Sequence, residues 1–258
     1  MDEQAYAQLW QAEVAGLQPL EMAVAGGHLA TDLAQVFIAG YQAAIRASFA
    51  LKDEQWIAFV VSEDRTPGSL HSPVTYDSVN ATISGVKTWV AAVKNINSLV
   101  VKVGQSDQAR YLHLPVELPG VHLKPRPPGG FLAGLSQGSV EFEQVAVLPE
   151  QQLDAGVAGQ FRFLESLYIY VAFLAFIKPR MTQVTQVDEL LNMAAILAGA
   201  DFQLAVTAQQ YALFDQSVQD CLRQFERLSI PAGESWSKDR ALIEMYSKGI
   251  QQHAKLTE

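Results

Sequence analysis

A serine within a glycine-rich pentapeptide is the first residue whose setting suggests chemistry. Gly134-Leu135-Ser136-Gln137-Gly138 matches the G-x-S-x-G pattern of a hydrolase nucleophile. That motif needs a strand before the serine, a helix after it and a histidine to act as base. Here a loop rich in proline and glycine precedes Ser136, a strand-like alternation follows it, and His253 is the only histidine downstream. The context therefore favours an ordinary glycine-rich loop.

Metal and disulfide chemistry lack the residues that they require. Cys221 is the single cysteine, so no disulfide can form within the chain. No two of the five histidines are three or four residues apart, the separation that places two imidazoles on one helix face for zinc. No Walker loop and no dinucleotide-binding glycine motif is present either. The sequence predicts no metal site.

The charge balance excludes further classes of partner. Asp and Glu number 27 against 18 Lys and Arg, which gives a formal charge of −9. With no basic excess we expect neither nucleic acid nor an anionic membrane surface as a partner. The acidic start Met1-Asp2-Glu3 is unlike a signal peptide. The longest apolar run, Leu167 to Ile177, has 11 residues, fewer than the roughly 20 of a membrane span. We expect a soluble, cytoplasmic protein with no membrane span.

The elements that must position any site divide the chain into three segments. Residues 1–54 carry apolar side chains at helical spacing, most clearly in the stripe that includes Leu33, Phe37 and Tyr41. Residues 55–152 hold eight of the 11 prolines and several short β-branched runs, a pattern that predicts strands separated by turns. Residues 153–258 return to helical spacing.

This order of segments indicates the fold class. Helices, then strands, then helices, without alternation of single strands and helices, are typical of an α+β protein. We predict N-terminal helices, a small antiparallel β-barrel or sandwich in the middle, and a C-terminal antiparallel helical bundle. The segment Phe161 to Ile177 is apolar almost all round, so it predicts a helix buried between others.

Three segments of the middle region together resemble a known family. Val79 to Val90 resembles the "LNGxKxWIT" segment of acyl-CoA dehydrogenases and acyl-CoA oxidases. Upstream, Phe59 to Asp64 followed by Pro67-Gly68-Ser69 is similar to the family's "TEPxxGSD" loop. Downstream, Val140 to Pro149 is similar to its "FxxVxVP" strand. The three occur in the family's order and near its spacing, so the chain resembles a shortened, divergent member of this flavoprotein family.

The resemblance implies a cofactor, a reaction and a fold. Family members consist of a helical domain, a β-barrel domain and a C-terminal helical bundle, in the same order as the three segments above. They bind FAD and oxidise acyl-CoA or related acyl thioesters in fatty acid metabolism. A proton leaves the carbon alpha to the thioester while a hydride passes to the flavin. The protein must supply a carboxylate base, donors to the flavin and a dry slot for the acyl chain.

Flavin-binding residues follow from the motif positions. The resemblance implies that Trp89 lies against the flavin ring and that Val90 and Ala91 contact it through their backbone. An aromatic face suits stacking on the ring. The alternative for Trp89, a core tryptophan of the barrel, remains open.

The loop before this segment supplies the other predicted contacts to the cofactor. The resemblance implies that Phe59, Val61 and Ser62 line the other edge of the flavin, with Ser62 as a hydroxyl donor where relatives have threonine. It also implies that Ser69 approaches the pyrophosphate or the substrate. A hydroxyl satisfies a polar edge of the ring by hydrogen bonding.

Glu165 is the predicted catalytic base. In a minority of the family, the base lies in the first helix of the bundle, within a segment like "LxxERLVLA", and Phe161 to Ile169 aligns with that segment. A carboxylate at the head of a nearly all-apolar helix is desolvated, which raises its pKa towards a value that suits a base. The alternative is that Glu165 lies in the first helical turn, solvated and favoured by the helix dipole.

Departures from the family pattern leave two functions open. Asp64 stands at the proline of the loop motif, Ala91 stands at a threonine near the flavin, and no "RxQFG" segment is present. The first function is an FAD-dependent oxidoreductase acting on an acyl thioester. The alternative is a degenerate, non-catalytic member that serves as a scaffold or as a partner subunit of a full-length relative. In either case we expect a homodimer or homotetramer, because a reduced N-terminal segment leaves the Leu33/Phe37/Tyr41 stripe for a second subunit to cover.

Overall fold

A computed structural model describes residues 1–66, 69–105, 109–154, 158–181, 184–228 and 234–257 of the chain. Pro67 and Gly68 of the predicted loop motif lie outside this described part. The chain forms two compact units. The helical unit comprises Met1–Ser48, Gly129–Gly134 and Gln160–Glu258, and the β unit comprises Phe49–Pro128 and Leu135–Gly159. The fold is α+β, with N-terminal helices, two sheets and C-terminal helices, as predicted.

Three helices begin the helical unit: α1 (Glu3–Glu13), α2 (Pro19–Leu29) and α3 (Leu33–Phe49). The Asp2 carboxylate starts α1 by accepting the backbone N–H of Ala5 at 2.8 Å, as an N-cap residue does. The Leu33/Phe37/Tyr41 stripe of α3 is buried inside the chain, with exposed fractions of 2%, 3% and 1%. The stripe is therefore not available to a second subunit, and it no longer supports the expectation of a homodimer or homotetramer.

The C-terminal part of the helical unit contains six helices among the described residues: α4 (Phe161–Ile177), α5 (Val184–Ala198), α6 (Ala205–Arg227), α7 (Glu234–Asp239), α8 (Ala241–Met245) and α9 (Ser247–Leu256). Helix α4 is the core of the unit, as its all-round apolar sequence predicts. Every residue of α4 is buried except Arg162, which is exposed, and Glu165, which is half-buried.

Two glycines bring neighbouring helices close to α4. A Cβ atom on Gly27 of α2 would lie 2.2 Å from the carbonyl oxygen of Ala172. A Cβ atom on Gly40 of α3 would lie 2.4 Å from the Cα atom of Ile169. Both distances are far below van der Waals contact, so α2 and α3 pack on the α4 backbone at positions that only glycine permits.

One helical stretch within the described residues, Ala158–Arg180, is long and apolar enough to cross a membrane by length and composition. It extends beyond the 11-residue apolar run of the sequence analysis. Its most apolar window is 83% buried in the structure, the burial of a core helix.

The β unit contains eight strands among the described residues: β1 (Trp56–Val60), β2 (Thr75–Asp77), β3 (Thr82–Ala91), β4 (Ile96–Val103), β5 (Arg110–Pro115), β6 (Val121–Pro125), β7 (Gln137–Ala146) and β8 (Gln152–Leu153). They form two four-stranded sheets, ordered β1-β4-β5-β8 and β2-β3-β7-β6. The predicted antiparallel pairing holds except between β1 and β4, which are parallel. The chain enters the other sheet after β1 and returns in β4, and such a crossover permits parallel pairing.

The long β3–β7 pair carries the segment that matters for the site. Val90 lies opposite Gly138, and Ala91 lies opposite Gln137. The register shifts between Lys87 and Val90, which marks a bulge. Bulges bend a strand and re-aim a side chain, and they are common beside functional sites. The bulge in β3 contains Trp89.

Candidate active site

Glu165 is a half-buried carboxyl group of α4 without a partner in the described part of the chain. It is the fifth residue of the helix and so lies beyond the first turn. No hydrogen bond or ion pair joins it to another described residue. Burial raises the pKa of Glu165 to about 7, since a desolvated carboxylate is disfavoured relative to its neutral form. The structure therefore places this carboxyl in an apolar setting where it is able both to hold and to release a proton near neutral pH.

Two phenols of the helical unit are within electrostatic range of this carboxyl group. The charge of Glu165 contributes, after burial, to raising the pKa values of Tyr211 and Tyr246 well above the usual value. Tyr211 also shares a hydrogen bond of 2.6 Å with the hydroxyl of Ser166, the next residue along α4. No lysine or arginine pairs with Glu165 among the described residues, so nothing described holds the carboxyl in its charged form.

Trp89 is half-buried in the β unit, so its ring is not sealed in the interior. Its indole N–H donates to the side-chain oxygen of Gln137 on β7 at 3.1 Å, which fixes the ring at the bulge. The next two residues, Val90 and Ala91, have 0% exposure and pair with Gly138 and Gln137 of β7. The cofactor roles that the resemblance assigned to these three residues stay predictions.

The segment after β1 lies beside Trp89. The carbonyl oxygen of Ser62 accepts the backbone N–H of Thr88 at 2.8 Å. Val61 and the Ser62 side chain are exposed. The structure thus brings Ser62 close to the residue that precedes Trp89, although 26 positions of sequence separate Ser62 from Thr88.

Two further residues predicted to contact the cofactor, Phe59 and Ser69, make contacts within the β unit. The Phe59 side chain packs in an aromatic cluster with Phe49 and Tyr111, at ring-centroid distances of 5.1 and 6.1 Å. The Ser69 hydroxyl donates to the Asp64 carboxylate at 2.7 Å and accepts the backbone N–H of His71 at 3.0 Å. These contacts organise the core of the β unit and its loop, respectively.

Sequence reasoning missed a buried ion pair in this region. The Lys87 ammonium lies 2.5 Å from the Glu63 carboxylate, with side-chain exposures of 1% and 4%. Burial lowers the pKa of Lys87, and the pair with Glu63 opposes that change. Burial alone would raise the pKa of Glu63, but hydrogen bonds from Lys87 and Arg65 hold it below the usual value. The pair links the segment after β1 to β3.

The signal for this pair was present in the sequence. Lys87 and Glu63 each stand inside one of the three quoted segments, within two residues of Trp89 and Ser62, respectively. Lys87 lies in a strand-like segment, and a buried charge needs a buried counter-charge, which Glu63 supplies. The pair fixes the backbone on both sides of the candidate site, at Ser62 and at Trp89.

The serine of the G-x-S-x-G match has a structural role. The Ser136 hydroxyl accepts the backbone N–H of Lys94 at 3.1 Å, and its carbonyl oxygen accepts that of Val93 at 3.2 Å. Strand β7 begins at the next residue, where a nucleophile elbow would begin a helix.

Comparison with known proteins gives structural matches only, since neither a protein-family model nor a curated protein matches the chain. FkbI, for biosynthesis of the methoxymalonyl extender unit of the polyketide immunosuppressant Fk520, is 14% identical with a TM-score of 0.62, over 99% of this chain and 93% of that chain. The FAD complex of PigA is 11% identical with a TM-score of 0.60, over 97% and 84% of the two chains. Butyryl-CoA dehydrogenase from Megasphaera elsdenii is 11% identical with a TM-score of 0.57, over 97% and 90%.

These matches extend over almost the whole chain and include both its helices and its sheets. The chain has the acyl-CoA dehydrogenase fold. The likeness at this level of identity concerns the fold, because one fold supports many activities. In this acyl-CoA dehydrogenase fold, the predicted site residues fall into two groups. Trp89, Val90, Ala91 and Ser62 lie together in the β unit, and Glu165 lies in the helical unit.

Proposed function

We propose that the protein is an FAD-dependent oxidoreductase of the acyl-CoA dehydrogenase type. Its substrate would be acyl-CoA or another acyl thioester, and bound FAD would supply the acceptor for the hydride that leaves the substrate. The fold supports this proposal because proteins of the same fold include a flavin complex and an acyl-CoA dehydrogenase. The observation that carries it is the partnerless carboxyl of Glu165, whose pKa is about 7.

The residues of the β unit fit a flavin. Trp89 offers a partly exposed ring that the Gln137 side chain holds in place, which suits stacking against a planar heterocycle. The exposed hydroxyl of Ser62 offers a donor for a polar edge of such a ring. The Lys87–Glu63 pair holds both backbone segments in place, because breaking it would leave a charge buried without its counter-charge.

Glu165 performs the proton step in this proposal. The carboxylate accepts the proton from the carbon alpha to the thioester carbonyl, and the neutral carboxyl then retains it. General bases work best when their pKa is close to the working pH, and the apolar setting of Glu165 brings its pKa to that range. A carboxylate that is already bound to a cation would be a weaker base, and Glu165 has no such partner among the described residues.

The test combines a visible spectrum with anaerobic bleaching by acyl-CoA. Purified protein is incubated with FAD, freed of excess cofactor and mixed with butyryl-CoA, octanoyl-CoA or palmitoyl-CoA. We expect a retained flavin spectrum that at least one of these thioesters bleaches. Glu165→Gln should keep the flavin and slow bleaching by at least about 100-fold, since general base catalysis contributes about 10²- to 10⁴-fold.

Glu189→Gln is the matched control, because Glu189 is an exposed glutamate on α5. It should bleach at the rate of the unmodified protein. A Glu165→Gln variant that bleaches as fast would remove Glu165 from the mechanism. A protein that stays colourless after incubation with FAD would contradict the enzyme proposal and favour the non-catalytic scaffold or partner subunit.

A further inference from the structure

A second feature of the helical unit is a cleft beside α4 whose lining does not include Glu165. Its volume is about 410 Å³, and residues of α4 and of the α8–α9 stretch line it. Sites for small molecules have volumes of about 300–1,000 Å³ and combine apolar walls with a few polar groups. The walls here have that mixed character, with Phe163 and Ile250 among the apolar residues and Arg162, Tyr246 and His253 among the polar ones.

One wall of the cleft is a stack of a cation and two rings. The Arg162 guanidinium lies 4.4 Å above the Phe163 ring, and the Phe163 ring lies 4.6 Å from the imidazole of His253. His253 is oriented by its Nε2 atom, which lies 2.8 Å from the Phe202 carbonyl oxygen and therefore carries the proton that it donates. Arg162 makes no ion pair with any described residue, so a positive charge without a counter-charge stands at the cleft.

The lining also includes a hydroxyl without a hydrogen-bond partner among the described residues. Tyr246 lies between α8 and α9, is half-buried and makes no side-chain hydrogen bond to a described residue. The Arg162 guanidinium and the Tyr246 hydroxyl line one cleft, so together they offer a positive charge and a donor to a ligand that carries acceptors.

We propose that this cleft binds a small carboxylate with an apolar body, whose carboxylate pairs with Arg162 and accepts a hydrogen bond from Tyr246. Planar guanidinium groups bind carboxylates by two parallel hydrogen bonds, which gives both charge and geometry. Phe163 and Ile250 then cover the apolar body of the ligand. The site goes beyond the proposed flavin chemistry, and its occupancy does not depend on bound FAD.

Gly249 offers a way to fill the cleft without disturbing the fold. It lines the cleft from α9, and a Cβ atom built on it meets no atom within 4 Å. Gly199, at the end of α5, has equally open space at its Cβ and is not part of the cleft lining. Gly249→Leu and Gly199→Leu are therefore a matched pair that differs in whether the new side chain enters the cleft.

The experiment measures binding by ligand-observed NMR on the full chain without added FAD. The probes are hexanoate and phenylacetate, each with its neutral amide, hexanamide and phenylacetamide. We expect saturable binding of at least one carboxylate with a Kd of about 1 mM or tighter. We expect the neutral amide to bind the unmodified protein at least about 10-fold more weakly than the carboxylate does. We also expect the carboxylate to bind Arg162→Gln at least about 10-fold more weakly than the unmodified protein, since hydrogen bonds between charged groups are the strong ones.

Further variants show where the ligand binds. Gly249→Leu should abolish binding, Gly199→Leu should leave it unchanged, and Arg162→Lys should retain part of it through its charge. Thermal unfolding of each variant checks that it is folded. The proposal is overturned if neither carboxylate binds saturably, if acid and amide bind equally, or if Gly249→Leu binds as the unmodified protein does. Because no flavin is present, these results are separate from the success or failure of the flavoenzyme proposal.

Discussion

Two carboxyl groups of the helical unit show how individual residues divide between structure and chemistry. Asp215 of α6 has 0% exposure and accepts hydrogen bonds from Tyr170, Gln219, Ser247 and Gln251. Each oxygen of this carboxylate is satisfied, as a buried structural charge requires. Glu165 lies in the same unit and has no such donors among the described residues. A group that the protein buries in part but leaves without hydrogen bonds is free to exchange its proton with something that binds.

The raised pKa of Glu165 predicts a pH-dependent loss of stability. The pKa is about 7 in the folded protein against 4.5 for an unperturbed glutamate, so the folded state binds more protons between these two values. Below pH 4.5 the residue is neutral in the folded and the unfolded protein, so its burial does not lower the free energy of unfolding. As pH rises through 7, that part of the stability is lost, because the unfolded protein ionises the carboxyl more easily. The quantity to compare is the unfolding free energy of Glu165→Gln minus that of the unmodified protein. We expect this difference to be about 1–3 kcal/mol larger at pH 8 than at pH 4.5.

Urea unfolding of both proteins at the two pH values measures this difference. Glu189→Gln again serves as the control and should follow the unmodified protein at both values. An unchanged difference between Glu165→Gln and the unmodified protein across this range would show that the carboxyl is solvated.

At the scale of elements, the contact of α2 and α3 with α4 depends on glycine. Two helix axes approach closely only where a side chain is missing from one of them. Gly27 and Gly40 have no side chain at the points where they pack against Ala172 and Ile169. Helix α4 holds Glu165, so the same packing that buries α4 sets the burial of its carboxyl group.

Gly40→Ala tests this packing. Alanine favours a helix by about 1 kcal/mol over glycine, so an exposed site would gain stability. Here the added methyl group would lie 2.4 Å from the Ile169 Cα atom, and overpacking costs about 1–3 kcal/mol. We expect a net loss of unfolding free energy for Gly40→Ala. Gly249→Ala, in a helix with open space at the Cβ, should instead gain about 0.5–1 kcal/mol. Equal effects of the two substitutions in thermal unfolding would contradict the close approach.

At the scale of the whole molecule, the two units divide the proposed chemistry between them. The helical unit holds Glu165, the proposed base, and the cleft that Arg162 lines, whereas the β unit holds the aromatic ring and the hydroxyl proposed to contact a flavin. A ligand that binds only the folded protein stabilises it in proportion to its occupancy. Cofactor binding is therefore measurable without turnover.

FAD should raise the unfolding temperature of the protein. At a concentration 100 times its Kd, a ligand adds about 2.7 kcal/mol to the unfolding free energy. Trp89→Ala removes the stacking surface, so we expect a much smaller thermal shift at the same FAD concentration, whereas Trp89→Phe keeps a ring and most of the shift. If Trp89→Ala responds to FAD as the unmodified protein does, Trp89 does not contact the flavin.

Much of the fold could be predicted because local patterns determine it. A helix over residues 161–177 is apolar on nearly all of its faces and must therefore be buried, and the structure confirms this burial. Prolines and short β-branched runs predicted the strands of the β unit, which are present as two sheets. The parallel pairing of β1 with β4 could not be predicted, because 35 residues separate the two strands and the local sequence is the same for either direction.

The candidate site, like the fold, could be predicted from the sequence only in part. The sequence by itself determined which residue types are available: a glutamate in an apolar helix, a tryptophan in a strand, and a lysine and a glutamate inside the motifs. Only the tertiary structure decided that Lys87 pairs with Glu63, that Phe59 joins an aromatic cluster, and that Glu165 has no partner within the described residues. The physical reason is that composition and periodicity fix what a segment must bury, whereas partners are fixed by contacts between residues that are distant in the chain.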